Sequence, residues 1–401
     1  MPGTAAETLH SRLDALRAVR TEANRDFFAA EAERLARCCH SMAERFARGG
    51  RLVALGRSPV ARSDARHVAV EFVHPVIVGK RALPALALAG EGGSLEAQVR
   101  AVVEPGDIAI GYGIEEPDEL ETRDAIAVAR ELGCLTIAFG PGPAEWEFEP
   151  RAPDSFVRQE LVETLYHVLW ELVHVFFEHR GLLEGRETGP VHDTGASSFL
   201  YPFLSESEAD LEGVIEDVRA SILMKAQEVG SLREQTLAEG GEALLGAADE
   251  LRRARDAGAR VLAMGNGGSA TDAMDFVADL RATGLRSIDL TEDASILTAI
   301  ANDIGVEEIF QRQVIAYGHE GDIAVALSTS GNSANLIEAL TEARGRRLTT
   351  LAFVGYDGGR IASDGLADHV VVTRSQHIPR IQEAQASAYH ALVELIRTPE
   401  E

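Results

Sequence analysis

Four hydroxyls crowd the six residues Ser328, Thr329, Ser330, Gly331, Asn332 and Ser333. They follow the apolar run DIAVA (322–326) and precede ANLIEAL (334–340), so a strand hands over to a helix at this point. A helix N-terminus presents unpaired N–H donors and the positive end of the helix dipole. Hydroxyls gathered there make a polar nest for phosphate oxygens. A helix cap needs one Ser or Thr, so capping alone leaves most of this cluster unexplained. A second turn of the same kind follows RVLAMG (260–265), where Asn266, Gly267, Gly268 and Ser269 lead into a helical stretch. Glycines at such a junction let main-chain N–H groups approach an anion.

These turns need strands and helices to hold them, and the chain supplies two similar sets. QELVETLYHVLWEL (159–172) and QEAQASAYHALVEL (382–395) agree at seven of fourteen positions. Upstream of each, the order is the same. A helical region (about 5–47 and 205–257) leads to a short apolar strand ending in glycine, RLVALG (51–56) or RVLAMG. Then come a loop and helix, a strand preceded by Gly-Asp (PGDIAI, 105–110; EGDIAV, 320–325), another helix, and LTIAFGPG (135–142) or TTLAFVGYDGG (349–359). Strands alternating with helices indicate parallel βαβ units, and strands without polar alternation fit a sheet covered on both faces. The expected fold is α/β: two tandem domains, each a doubly wound parallel sheet flanked by helices in three layers. The expected boundaries are residues 1–180, a Gly/Ser/Thr/Pro-rich linker at 181–204, and residues 205–401.

Bulk properties narrow the function. At 401 residues the chain is long enough for two or three domains. Its net charge of −26 argues against nucleic acid and against anionic membranes. Phosphate on a small molecule stays open, because N–H groups and hydroxyls can hold it without cationic side chains. No apolar run approaches a membrane span, and the N-terminal stretch does not read as a secretory signal. Cys38, Cys39 and Cys134 are too few for a disulfide scaffold and read as reduced packing residues, so a cytoplasmic location is expected.

The motifs GNGGSATDAMDFVADL (265–280), ANDIGVEEIF (301–310), LSTSGNSAN (327–335) and RIQEAQASAYH (380–390) resemble the sugar isomerase (SIS) fold, and specifically the sedoheptulose 7-phosphate isomerase, or phosphoheptose isomerase, family. The resemblance implies substrate contacts from Asn266, Gly267, Gly268, Ser269, Asn302, Asp303, Ser328, Thr329, Ser330, Ser333 and Gln382. It also implies zinc or another divalent metal, held in that family by a His-x-x-x-Glu pair together with a Gln and a His of the last helix. In the second half those positions carry Asp275, Asp279, Gln382 and His390. In the first half, allowing one inserted loop residue, they carry His67, Glu71, Gln159 and His167. Residues at i and i+4 share one helical face and can reach one ion. The alternatives are a solvated helix pair for His67 and Glu71, and carboxylates favoured near a helix N-terminus for Asp275 and Asp279. His74, His174 and His179 read as packing or surface residues.

The halves depart from the family pattern in opposite directions. The first lacks the phosphate turns: GNGGS has become GRSPV (56–60), and the hydroxyl cluster has become GIEEPD (113–118), whose Glu115, Glu116 and Asp118 would repel phosphate. The expected activity is metal-assisted aldose–ketose isomerisation of a phosphorylated sugar. It needs a base and an acid, and the resemblance implies a carboxylate for the first and a histidine for the second: Asp279 and His390, or Glu71 and His167 in the first half. The alternatives are a non-catalytic phosphosugar-binding regulator or assembly factor, and a metal-binding accessory protein. A homo-oligomer, two tandem chains mimicking a tetramer of single domains, is the expected assembly.

Overall fold

A computed structural model describes residues 5–76, 80–89, 92–114, 120–178 and 210–397, with side chains from residue 11 onward. The chain divides into two compact units, residues 24–227 and residues 1–23 with 228–401. Each division point falls inside a long helix: α1 (Ala5–Ala47) and α6 (Leu211–Glu239). At 1.5 Å per residue, the 43 residues of α1 reach about 65 Å, more than one small domain can cover. The linker expected at 181–204 lies outside the described residues, as do Glu115, Glu116, Asp118 and His179.

The unit of residues 24–227 holds β1 (Leu52–Leu55), α2 (Pro59–Val73), β2 (Ala85–Leu88), α3 (Leu95–Val102), β3 (Ile108–Gly111), α4 (Leu120–Glu131), β4 (Leu135–Ala138), β5 (Trp146–Glu147) and α5 (Ser155–Glu178). Its sheet is parallel with order β2-β1-β3-β4-β5. β1, β3 and β4 are buried along their whole length, which is why they read as unbroken apolar runs. Within this unit the Arg37 guanidinium pairs with Glu212 at 2.8 Å, and the Asn24 amide donates to the Ala226 carbonyl at 2.7 Å, so the first turns of α6 belong here.

The other unit repeats the plan with α7 (Gly241–Ala257), β6 (Arg260–Met264), α8 (Gly268–Ala282), β7 (Arg286–Asp289), α9 (Ala294–Asp303), α10 (Gln311–Tyr317), β8 (Ile323–Ser328), α11 (Ala334–Gly345), β9 (Thr349–Gly355), α12 (Gly359–Ser363), β10 (His369–Thr373) and α13 (Ile378–Ile396). Its sheet order is β10-β9-β8-β6-β7, again parallel. The Arg20 guanidinium, buried, pairs with Glu394 of α13 at 2.9 Å and ties the start of α1 to this unit. In both sheets the chain leaves the first strand toward one edge and returns on its other side. Ligands of open α/β sheets bind at such a switch point, beyond the carboxyl ends of the strands.

Two small devices explain the shared sequence signature. Asp107 of the first Gly-Asp pair accepts from the N–H groups of Arg51 (2.8 Å) and Glu104 (2.9 Å). Asp322 of the second accepts from those of Arg260 (2.8 Å) and His319 (2.9 Å). Each carboxylate therefore pins the start of one strand to the start of its neighbour. The glycine closing each first strand is needed because the next helix runs against it. A Cβ on Gly56 would sit 2.2 Å from the Ala61 carbonyl oxygen, and one on Gly265 2.0 Å from that of Ser269. The five-residue step in one case and four in the other is the single inserted residue of the first loop.

Candidate active site and metal centres

The two sheets set down the same helical positions in the same places. In the second half, α8 starts at Gly268 against the end of β6, which puts Asp275 and Asp279 on the buried face. α13 brings His390 across to them. Its Nε2 lies 3.2 Å from Asp275 Oδ2 and 3.5 Å from Asp279 Oδ2. The Tyr389 hydroxyl, which the sequence reading missed, donates to the same Asp275 Oδ2 at 3.0 Å. All four side chains are buried. Asp275 Oδ1 and Asp279 Oδ2 have no hydrogen-bond partner. Burial pushes the Asp279 carboxyl well above the usual carboxylate range, and the neighbouring Asp275 charge adds to this; His390 and Arg397 oppose it.

In the first half, Ser58 caps α2 by accepting from the Ala61 N–H at 3.2 Å. His67 and Glu71 then face α5, where His167 meets them. The two Nε2 atoms are 3.4 Å apart, and His67 Nε2 lies 3.9 Å from Glu71 Oε1. The reading of His67 and Glu71 as a solvated pair does not hold, since both are only 2 % exposed. Burial, with the His167 ring beside it, holds the His67 ring well below its ordinary pKa and therefore neutral.

Both trios fit a divalent cation. In each, one ligand atom per residue can be chosen so that all lie within 4.8 Å of one another. Orphaned buried carboxylate oxygens in one, and facing imidazole nitrogens in the other, are what a cation would satisfy. Gln159 and Gln382 each stand fifth in their helix, half-buried and buried respectively. They precede the histidine by eight residues, or about 12 Å of helix.

The two turns expected to hold phosphate sit at the switch point of the second sheet. Asn266 and Asn335 exchange side-chain amide bonds at 3.0 and 2.8 Å, joining the first turn to the start of α11. A cleft of about 500 Å³ opens there, lined by Asn266, Val306, Glu307, Ala334 and Asn335. Gly267 has φ 58° with open space where a Cβ would be, leaving its N–H accessible. Ser328 Oγ accepts from the Gly331 N–H at 3.0 Å, and Ser330 Oγ from that of Asn332 at 3.2 Å. Ser333 occupies the cap position of α11 yet makes no side-chain cap bond. Thr329, Ser330 and Ser333 are half-buried and Ser328 is buried, and none of the four is among the cleft-lining residues. Gly331 (φ 64°) is required because a Cβ would lie 2.2 Å from the Gly358 carbonyl oxygen. Asn302 and Asp303 stand exposed at the end of α9, bonded to each other at 2.8 Å, and are not among the cleft-lining residues. Val306, Glu307 and Asn335, which do line it, were not singled out from sequence, although all three lie inside two of the quoted motifs. The Gln385 side chain donates to the Ser328 carbonyl at 3.1 Å, which fixes the helix bearing His390 to the hydroxyl turn.

The first half has no such cradle among its described residues. Counting from the Gly-Asp pairs, Gly113 and Ile114 replace Ser328 and Thr329, and Ile114 is buried in the core. Arg57 of the first turn is paired with Glu121 at 2.8 Å. Tyr166, beside His167, tilts against the His67 ring with centroids 5.2 Å apart. His174, buried, is bonded to the carbonyls of Trp170 and Arg81, so it is a packing residue.

Comparison with known proteins places this arrangement. The SIS domain profile matches residues 226–355. The chain is 46% identical over 145 residues to the phosphoheptose isomerase of Geobacter sulfurreducens, covering 35% of this chain and 76% of that protein. It is 36% identical over 186 residues to that of Nitratidesulfovibrio vulgaris, covering 45% and 88%. The solved tagatose-6-phosphate ketose/aldose isomerase of Escherichia coli aligns with 100% of this chain and 97% of its own at a TM-score of 0.57 and 12% identity, which shows the two-domain SIS fold over the whole length. The chain belongs to the phosphoheptose isomerase family of SIS-domain proteins.

Proposed function

We propose that the second half interconverts the aldose and ketose forms of a phosphorylated sugar of the heptose 7-phosphate kind. The observation that carries this reading is the Gln385–Ser328 bond, which sets the carboxylate–histidine centre and the hydroxyl turn on one rigid framework. Phosphate oxygens would be met by Asn266, Gly267, Gly268, Ser269, Ser328, Thr329, Ser330 and Ser333, with N–H donors and the α11 dipole supplying the positive field. Asp279 takes the proton from the carbon beside the carbonyl. His390 delivers a proton to the carbonyl oxygen. An enediol results; Asp279 then gives a proton, exchangeable with solvent, to the neighbouring carbon while the other enediol hydroxyl returns its proton to His390, so both groups are restored. A divalent cation held by Asp275, Asp279, His390 and Gln382 would polarise the carbonyl oxygen.

The domain roles follow. Residues 205–401 carry catalysis, and residues 1–180 are a degenerate SIS domain that keeps a metal-ligand set without phosphate turns. Glu71 and His167 then serve as ligands rather than as acid and base. Ile304 and Val306 are 56% and 62% exposed, and this apolar exposure supports assembly of chains into a homo-oligomer. Among the described residues no helix is long and apolar enough to cross a membrane, and a cytoplasmic site of action fits this substrate class.

The test is proton exchange. Sedoheptulose 7-phosphate incubated with the protein in deuterium oxide should acquire deuterium at the carbon next to the carbonyl and equilibrate with its aldose. A raised melting temperature with that sugar but no exchange would leave a phosphosugar-binding regulator instead.

A further inference from the structure

The two buried trios differ in ligand chemistry, and that difference has a consequence for what each holds. The first offers two imidazole nitrogens and one carboxylate, from His67, His167 and Glu71. Two ligands of a tetrahedral zinc, each about 2.0–2.1 Å from the ion, stand roughly 3.4 Å apart. The two Nε2 atoms are 3.4 Å apart. The second trio offers two carboxylates and one imidazole, from Asp275, Asp279 and His390. Asp275 Oδ2 faces His390 Nε2 at 3.2 Å and also accepts from the Tyr389 hydroxyl at 3.0 Å, which fixes the carboxylate beside the histidine.

Nitrogen donors favour zinc over manganese by a wide margin. Charged oxygen donors narrow that margin, because hard cations hold carboxylates well and gain little from imidazole. Total charge works in the same direction. Two carboxylates compensate a doubly charged cation fully, so an ion of either kind is held mainly by charge. The first centre has one carboxylate and depends on its ring nitrogens.

We infer that the two halves hold different classes of cation: the first a zinc ion, the second a harder ion of the manganese or magnesium class whenever zinc is limiting. Tyr389 is a positioning residue of the second centre. Partners of a ligand beyond the ion commonly change metal affinity 10–100-fold when removed.

The full chain, stripped with chelator, is dialysed against one equivalent of zinc and an excess of manganese. The expected result is one zinc and one manganese per chain. X-ray absorption at the zinc edge should show two imidazoles per zinc. Electron-spin-echo spectra of the manganese should show a single imidazole nitrogen. His67→Ala should lose the zinc and keep the manganese; Asp275→Asn should do the reverse. Tyr389→Phe should weaken manganese binding about tenfold and leave zinc unchanged. The spectra of the unaltered chain decide the matter even if a variant does not fold. Zinc with one imidazole, manganese with two, either ion spread over both centres, or no metal at all would each overturn the inference. Turnover plays no part in the readout, so the isomerase reading stands or falls separately.

Discussion

The two halves share a framework and differ in what it carries. Asp107 and Asp322 clamp equivalent strands with pairs of main-chain bonds of the same length, and Gly56 and Gly265 admit equivalent helices at near-contact distance. On that common base the second half keeps hydroxyls and an accessible glycine turn, while the first buries Ile114 and engages Arg57 with Glu121. The metal-type trios part as well: His67, Glu71 and His167 against Asp275, Asp279 and His390. The features required for folding have been kept in both copies. The turns proposed to bind a phosphorylated substrate occur in one.

This comparison can be broken or sharpened at several points. The largest contrast is catalytic. Asp279→Asn should lower isomerisation about 10³-fold, whereas Glu71→Gln should leave the rate within about twofold; equal losses would mean that the first half takes part in the chemistry. Next is the close helix approach. Gly56→Ala and Gly265→Ala should each cost about 3 kcal/mol or more by denaturant titration, since both drive a Cβ into a main-chain oxygen. A tolerant Gly56 would show that the first loop relaxes where the second cannot.

Asp107→Ala and Asp322→Ala each orphan two N–H donors and should cost about 2–3 kcal/mol apiece, to be compared in the same titration. A smaller effect separates binding from folding. Ser333 makes no cap bond, so Ser333→Ala should raise KM about tenfold while moving the melting temperature very little. A large loss of stability would reassign Ser333 to the fold.

The smallest effect concerns pH. Burial alone would raise the Asp107 carboxyl, but its bonds from Arg51 and from the Glu104 and Arg51 N–H groups outweigh burial and lower it. A lowered pKa contributes stability that is present above the ordinary Asp value of about 3.9 and is lost as pH falls through the folded value. Melting temperatures of Asp107→Asn and the parent chain should therefore converge below about pH 4.

Much of this molecule was legible in its residues. The alternation of apolar runs with helical segments, the Gly-Asp pairs and the repeated Gln-to-His segment gave two parallel α/β units, because strands covered on both faces must be apolar throughout. The short edge strands β2, β5, β7 and β10 were not read. β5 is only two residues long, and β2, ALAL, is apolar but short and made of residues that favour helix as much as strand. Tyr389 was missed because its role depends on Asp275, which is 114 residues away. Glu307 and Asn335 became cleft residues only through the folding of three separate segments onto one another.

By itself, then, the sequence determined the fold class, the repeat and the presence of a turn between strand and helix at 265–269 and 328–333, since these depend on local periodicity and on residue types at fixed spacing. Tertiary structure alone decided which side chains are dehydrated together. Burial gives Asp279 its raised pKa and keeps the His67 ring neutral, and it leaves Asp275 Oδ1 without a partner. No spacing along a chain encodes exclusion of water, because that depends on what packs over the group from every other element.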